Sequence, residues 1–175
     1  MTKTALISVL CPDRVGVVAA ITGQIFDLGG NLGDTNFAVL GGASEFTCIC
    51  ELPDSVDLAD VERDLRALTE LEGADIAVRP FGMSAVHGPS GKVTHRITVD
   101  GGDRPGLIAR LCEVFVQFKA NIVRLNAEKK PGSDNTGYAI TVDVWIPEGR
   151  APTCLATIDN TAGELSLTCR WEKVA

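Results

Sequence analysis

Apolar and polar positions along this chain alternate in short runs with two distinct periods. Ala5 to Leu10 is an apolar run closed by Pro12, the pattern of a buried strand. Past Asp13-Arg14-Val15-Gly16, apolar residues recur at Val18, Ile21, Ile25 and Leu28. That 3-4-3 spacing puts four side chains on one helix face. The helix is expected to begin near Arg14 and to close at Gly29-Gly30, where glycine takes the left-handed conformation of a C-terminal cap. Asn31 to Leu40 reads as extended, Gly41-Gly42 as a two-residue hairpin turn, and Ser44 to Leu52 as the return strand, stopped by Pro53. Asp57 is a candidate N-cap for a second helix whose inner face is Leu58, Val61, Leu65 and Leu68. Gly73 is expected to end that helix, and Ala74 to Phe81 alternates as a last strand.

The pattern then repeats. Asp103-Arg104-Pro105-Gly106 stands 90 positions after Asp13-Arg14-Val15-Gly16, and Ile108, Leu111, Phe115 and Phe118 answer the first helical stripe at the same offset. Asn121-Ile122 answers Asn31-Leu32, and Ile97 and Val99 answer Ile7 and Val9. Such a series in order signals two copies of one module. The second hairpin is longer, with the added residues in the polar turn Lys130-Pro131-Gly132-Ser133-Asp134-Asn135. The second helix of this copy is expected over about Ala151 to Ala162, shorter and less regular, with Leu155, Ile158 and Ala162 inward. Glu164 to Val174 reads as its final strand.

The order β-α-β-β-α-β is the split βαβ arrangement of ferredoxin-like folds. The fold class is therefore α+β, with two helices on one face of a four-stranded antiparallel sheet in each copy. The expected divisions are a first module at 1–82, a linker at 83–92 carrying Gly88-Pro89-Ser90-Gly91, and a second module at 93–175. Modules of about 80 residues bury a modest fraction of their surface, so each is expected to lean on its twin or on another chain as a homo-oligomer.

Composition narrows the function. Among 175 residues, 45% are apolar and 22% charged, values of an ordinary soluble domain. No apolar run approaches the roughly 20 residues of a membrane span, and the short apolar stretch after Met1 is too brief for a signal peptide, so a cytoplasmic chain without membrane contact is expected. A net charge of −7, with Lys129-Lys130 the only adjacent basic pair, disfavours direct binding to nucleic acid. Six cysteines without C-x-x-C spacing, beside only His87 and His95, point to reduced packing thiols rather than a metal site. Cys11 stands out because a thiol just before a helix N-terminus can have a lowered pKa.

D-R-x-G opening a helix, followed by G-G-N or A-N before a strand, inside a β-α-β-β-α-β unit, resembles the ACT domain. Two such units and little else resemble the tandem ACT proteins of the glycine cleavage system transcriptional repressor family. Cys11-Pro12-Asp13-Arg14-Val15-Gly16 is also similar to ACT segments at the front of formyltetrahydrofolate deformylases and some phosphoserine phosphatases. The resemblance implies a non-enzymatic sensor of a small amino acid such as glycine or serine, bound where two ACT units meet, without a cofactor. It implies action through a regulatory partner protein rather than through DNA. The family's contacts fall here on Asp13, Arg14, Val15 and Gly16 with Asn31 and Leu32, and on Asp103, Arg104, Pro105 and Gly106 with Asn121 and Ile122.

Each of these residues also has a purely structural explanation. Free amides at a helix start favour a carboxylate, yet Asp13 and Asp103 can equally cap loop amides. The asparagines can bind a ligand or serve the turn after the helix. Arg14 and Arg104 can hold a carboxylate or sit solvated. Catalysis is not expected: the chain has no Walker loop, dinucleotide fingerprint or G-x-S-x-G elbow, and neither histidine recurs in the repeat. A constitutive interaction module without a working ligand site is the competing expectation.

Overall fold

Alternating inward residues define the sheet of the first half. Ala5, Ile7, Val9 and Cys11 on one strand face the same side as Phe46, Cys48, Cys50 and Leu52 on its neighbour, and all eight are buried. The computed structural model describes residues 1–130 and 137–174. The chain falls into two compact units, Met1–Ala85 and Val86–Ala175.

The first unit runs β1 (Thr2–Pro12), α1 (Val17–Asp27), β2 (Asn31–Leu40), β3 (Ala43–Pro53), α2 (Leu58–Arg66) and β4 (Asp75–Pro80). Its sheet has the order β2-β3-β1-β4, antiparallel throughout. The second unit runs β5 (His95–Gly102), α3 (Leu107–Gln117), β6 (Asn121–Lys130), β7 (Gly137–Trp145), α4 (Ala151–Glu164) and β8 (Thr168–Lys173). Its sheet order, β6-β7-β5-β8, is the same arrangement again. The two sheets even share an irregularity. Gly33 and Asp34 lie opposite Ile49 alone, and Val123 and Arg124 opposite Asp143 alone, a β-bulge at one place in both copies.

In each unit the helices pack on one sheet face. Val17, Ile21 and Ile25 of α1 and Val61 and Leu65 of α2 close over the first sheet; Leu107, Leu111, Val114 and Phe115 of α3 and Cys154, Leu155, Ile158 and Ala162 of α4 close over the second. Full burial of one such aliphatic or aromatic side chain contributes about 1.5–3 kcal/mol, so truncating the fully buried Ile21 to Ala is expected to cost about 2–5 kcal/mol.

Several element limits differ from the sequence expectation. Helix α1 begins at Val17 rather than near Arg14, because Gly16 takes a left-handed φ of 98° and turns the chain first. The buried stripe accordingly starts at Val17, while Val18 is 38% exposed. Asp57 does cap α2, accepting from the Ala59 amide, but α2 stops at Arg66 and a separate 3-10 turn, Thr69–Leu71, carries the chain toward Gly73. Helix α4 is longer than α2, not shorter: Pro152 sits in its first turn, where a missing N–H costs nothing. The polar turn expected over Pro131–Asn135 lies outside the described residues. Part of the expected linker is ordered, with Pro89–Gly91 forming a 3-10 turn.

Candidate functional site

Both helices that follow a D-R-x-G segment begin directly after a left-handed glycine. Gly16 has φ 98° and Gly106 φ 79°, and neither helix start is capped by a side chain. The first helical amides therefore lack the side-chain acceptor that many helix starts have. The requirement for glycine here is conformational rather than steric. A Cβ on Gly106 would meet nothing within 4 Å, and one on Gly16 would meet only Glu70 Cγ at 3.6 Å.

The loop before α1 is tied down. The Asp13 amide donates to the Gly42 carbonyl at 3.0 Å, and its carboxylate accepts from the buried Ser44 hydroxyl. Asp13 thus fastens the loop to the β2–β3 hairpin rather than capping the helix. Arg14 reaches across to the 3-10 turn, donating to the Thr69 carbonyl at 3.3 Å and the Glu72 carbonyl at 3.2 Å. Its guanidinium is therefore already engaged. Glu70, from the same turn, places an acidic side chain against Gly16. Val15 is fully exposed.

The loop before α3 is open. Asp103 pairs with Lys129 at 3.3 Å, while the exposed Arg104 makes no ion pair or side-chain hydrogen bond among the described residues. Pro105 and Gly106 are exposed. The two copies of one motif thus differ in electrostatics: the first presents an acid beside the helix start, the second an uncommitted guanidinium.

Asn31 and Asn121 open β2 and β6 and are exposed. Each lies at the far end of the helix from the glycine of its own unit. An 11-residue helix is about 16 Å long, so one small amino acid cannot span both groups within a unit. The Asn121 amide also donates to the Ser90 carbonyl at 2.8 Å, leaving its carbonyl oxygen as the group for other partners. Leu32 and Ile122 turn inward and pack on the edges of the two cores. The contacts through Ser44, Thr69, Glu70 and Ser90 carry no local sequence signal, because they join residues 30 or more positions apart.

The cysteines pack as small apolar groups. Cys11 lies in β1, several residues before the helix start, and burial raises its pKa despite the opposing charge of Arg14. The lowered pKa expected for it is thus overturned. Burial pushes Cys48 to about 12 and Cys154 and Cys169 to about 11. His95 is buried against Trp171, with ring centroids 6.3 Å apart, and burial holds its pKa below the usual 6.5. Among the described residues, no three His, Cys, Asp or Glu side chains gather as a metal site requires, and no helix is long and apolar enough to cross a membrane.

Comparison with known proteins places this geometry. Residues 3–79 match the family model of the ACT domain. The glycine cleavage system transcriptional repressor of Escherichia coli (strain K12) is 27% identical over 141 residues, covering 79% of this chain and 72% of that protein. The crystal structure of an unknown protein from Galdieria sulphuraria shares the fold at TM-score 0.77 and 23% identity, over 100% of both chains. A putative glycine cleavage system transcriptional repressor shares it at TM-score 0.70 and 16% identity, over 99% of this chain and 98% of the other. Residues 3–79 of the first unit thus match the ACT domain and the second unit repeats the same fold, so the chain resembles tandem ACT-domain proteins such as the glycine cleavage system transcriptional repressors.

Proposed function

We propose that this protein is a non-enzymatic cytoplasmic regulator that senses a small amino acid, glycine or serine first among them, and acts through contacts with a partner protein. The observation that carries this reading is the open loop before α3. There, the uncapped helix start follows the left-handed Gly106, and the exposed, uncommitted Arg104 stands two residues before that glycine. A helix start and a guanidinium both favour a carboxylate. The ligand's carboxylate lies at this loop, with Asp103 held aside by Lys129. Its ammonium group is met by an asparagine carbonyl at the start of a β2- or β6-type strand. Because helix length separates Asn121 from Gly106 within one unit, that asparagine is Asn121 of a second copy of the chain, whose carbonyl oxygen stays open.

The loop before α1 is read as a structural copy, since Arg14 is engaged and Glu70 would repel a carboxylate. The resemblance to transcriptional repressors of the glycine cleavage system supports a role as transcriptional co-regulator. The acidic net charge supports action through a protein rather than through phosphate contacts. Titration calorimetry with glycine, serine and the other amino acids tests the reading. Arg104→Ala and Asn121→Ala are each expected to weaken binding at least tenfold, while Arg14→Ala leaves it within twofold. Absence of heat with every amino acid would overturn the sensing role and leave a constitutive interaction module.

A further inference from the structure

One end of the Asn121 amide is already taken. Its Nδ2 donates at 2.8 Å to the carbonyl of Ser90, in the 3-10 turn Pro89–Gly91 that precedes β5 and packs against β6. The turn is closed on itself: the Gly91 and Lys92 amides donate to the Gly88 and Pro89 carbonyls at 2.9 and 3.2 Å. Pro89 fixes φ at its first position. His87 lies against its end, where a Cβ added to Gly91 would come within 2.9 Å of the imidazole Nδ1 and 3.0 Å of the His87 Cβ. Two residues past Lys92, the Thr94 amide donates to the Val144 carbonyl at 2.8 Å. The turn is thus held to the second unit at its exit as well as at Asn121.

A carbonyl can only accept. Ser90 therefore takes the donor end of the Asn121 amide and leaves the acceptor end, Oδ1, for other partners. An untethered asparagine presents either end, since one soft torsion exchanges them. Asn31, at the same position of the repeat, is untethered: its side chain makes no hydrogen bond among the described residues. The turn thus separates two asparagines that the repeat makes equivalent. An exposed hydrogen bond contributes little stability, but this one decides which pole of the amide a ligand meets.

We propose that the Pro89–Gly91 turn is a positioning strap for the ligand site: by holding Nδ2 of Asn121 it presents Oδ1 alone, so the site selects carboxylates that carry an ammonium group over those without one. This rests on Asn121 meeting the ligand's ammonium group, as read above. The coupling is reciprocal, because a ligand that binds only the strapped orientation also holds the turn closed.

Titration calorimetry on the full chain with glycine and with acetate tests this, together with amide hydrogen exchange by NMR at Gly91 and Lys92. Pro89→Gly loosens the turn, and Gly91→Val drives it against His87; both positions lie outside the sheets and the four helices, so the fold is retained by circular dichroism. Wild type is expected to bind glycine at least tenfold tighter than acetate. Each variant is expected to lose at least threefold in glycine affinity and to bind acetate no more weakly than wild type, because a released Asn121 can turn its Nδ2 toward a carboxylate. A general lesion would weaken both ligands alike. Saturating glycine is expected to slow exchange at Gly91 and Lys92 at least threefold in wild type. Unchanged glycine affinity in both variants, equal losses for glycine and acetate, or exchange at the turn indifferent to glycine would each overturn the strap and leave the amino-acid reading standing. Absence of heat with every amino acid in the wild type would overturn both.

Discussion

Arg96 Nε donates to Asp143 Oδ1 at 2.7 Å across neighbouring strands, at the very positions where the first sheet places Leu6 against Ile49. One fold thus solves one cross-strand contact in two ways. The Asp143 side chain is 7% exposed and Arg96 44%, with Arg124 a second cation 3.7 Å from the same carboxylate. Breaking the pair from the arginine side leaves a largely buried acid with only a distant partner. Arg96→Ala is expected to lower stability in chemical denaturation, though less than breaking a fully buried pair would, because Arg96 reaches solvent and Arg124 remains. Replacing both partners with the first sheet's pair, Arg96→Leu/Asp143→Ile, is expected to leave stability within about 1 kcal/mol, since apolar isosteres often match buried ion pairs. A loss as large as the single variant's would contradict this.

The same carboxylates set a pH dependence. Arg96 holds the Asp143 carboxyl below its usual 3.8, and Lys130, with help from Arg170, does the same for Asp100. A folded-state pKa below the unfolded one means stability that is complete above the unfolded pKa and lost as pH falls through the folded one. The stabilising contribution of the two acids is therefore present at neutral pH and disappears below about pH 4. Urea unfolding at pH 7, 4 and 3 is expected to show a decline that Asp143→Asn and Asp100→Asn together make shallower. An equal decline in the double variant would place the acid sensitivity on other groups.

Backbone conformation gives a pair of opposite substitutions. Gly106 is left-handed in open space, so Gly106→Ala introduces strain without a clash and is expected to cost about 1–2 kcal/mol. At the end of α3, Lys119 takes a left-handed φ of 56° where the first unit has Gly29 at 74°. Lys119→Gly is expected to stabilise by about 0.5–1 kcal/mol, because glycine adopts that conformation without a Cβ penalty. Melting temperatures that move in the reverse directions would refute the conformational argument.

The repeat, the element order and the inward faces were legible because they rest on periodicity. Ile21 and Ile25 recur at helical spacing, and Ile7 and Val9 alternate as a strand should. The start of α1 was not legible, because helical spacing alone cannot distinguish Val17 from Val18 as its first apolar residue. The left-handed Gly16 decides it. The proposed ligand residues were found as a motif, but their states were not. Arg14 and Arg104 look alike in sequence, and only a 3-10 turn 55 residues away engages the first. Likewise Asn31 and Asn121 stand near their glycines in the motif's order, yet a helix of about 16 Å separates them in space.

The last difference between the copies sits at Cys11 and Gly101, the same position of the repeat. Gly101 stands one step beyond the paired residues Asp100 and Thr168, and a Cβ built on it would come within 2.3 Å of Leu167 Cδ2. In the first unit the step beyond Leu10 and Asp75 brings Cys11 toward Ala74 instead. Each unit thus fills one space with one large and one small residue, in opposite order. Gly101→Cys alone is expected to overpack the second core and cost about 1–3 kcal/mol. Leu167→Ala alone removes a side chain only 8% exposed and is expected to cost about 2–3 kcal/mol. If the two residues share one volume, Gly101→Cys/Leu167→Ala recovers at least about 1 kcal/mol relative to the sum, as coupled neighbours do. A double-mutant cycle by urea denaturation reads this coupling directly. Additive losses would mean that Leu167 moves aside freely and that the glycine answers to something other than its neighbour's bulk.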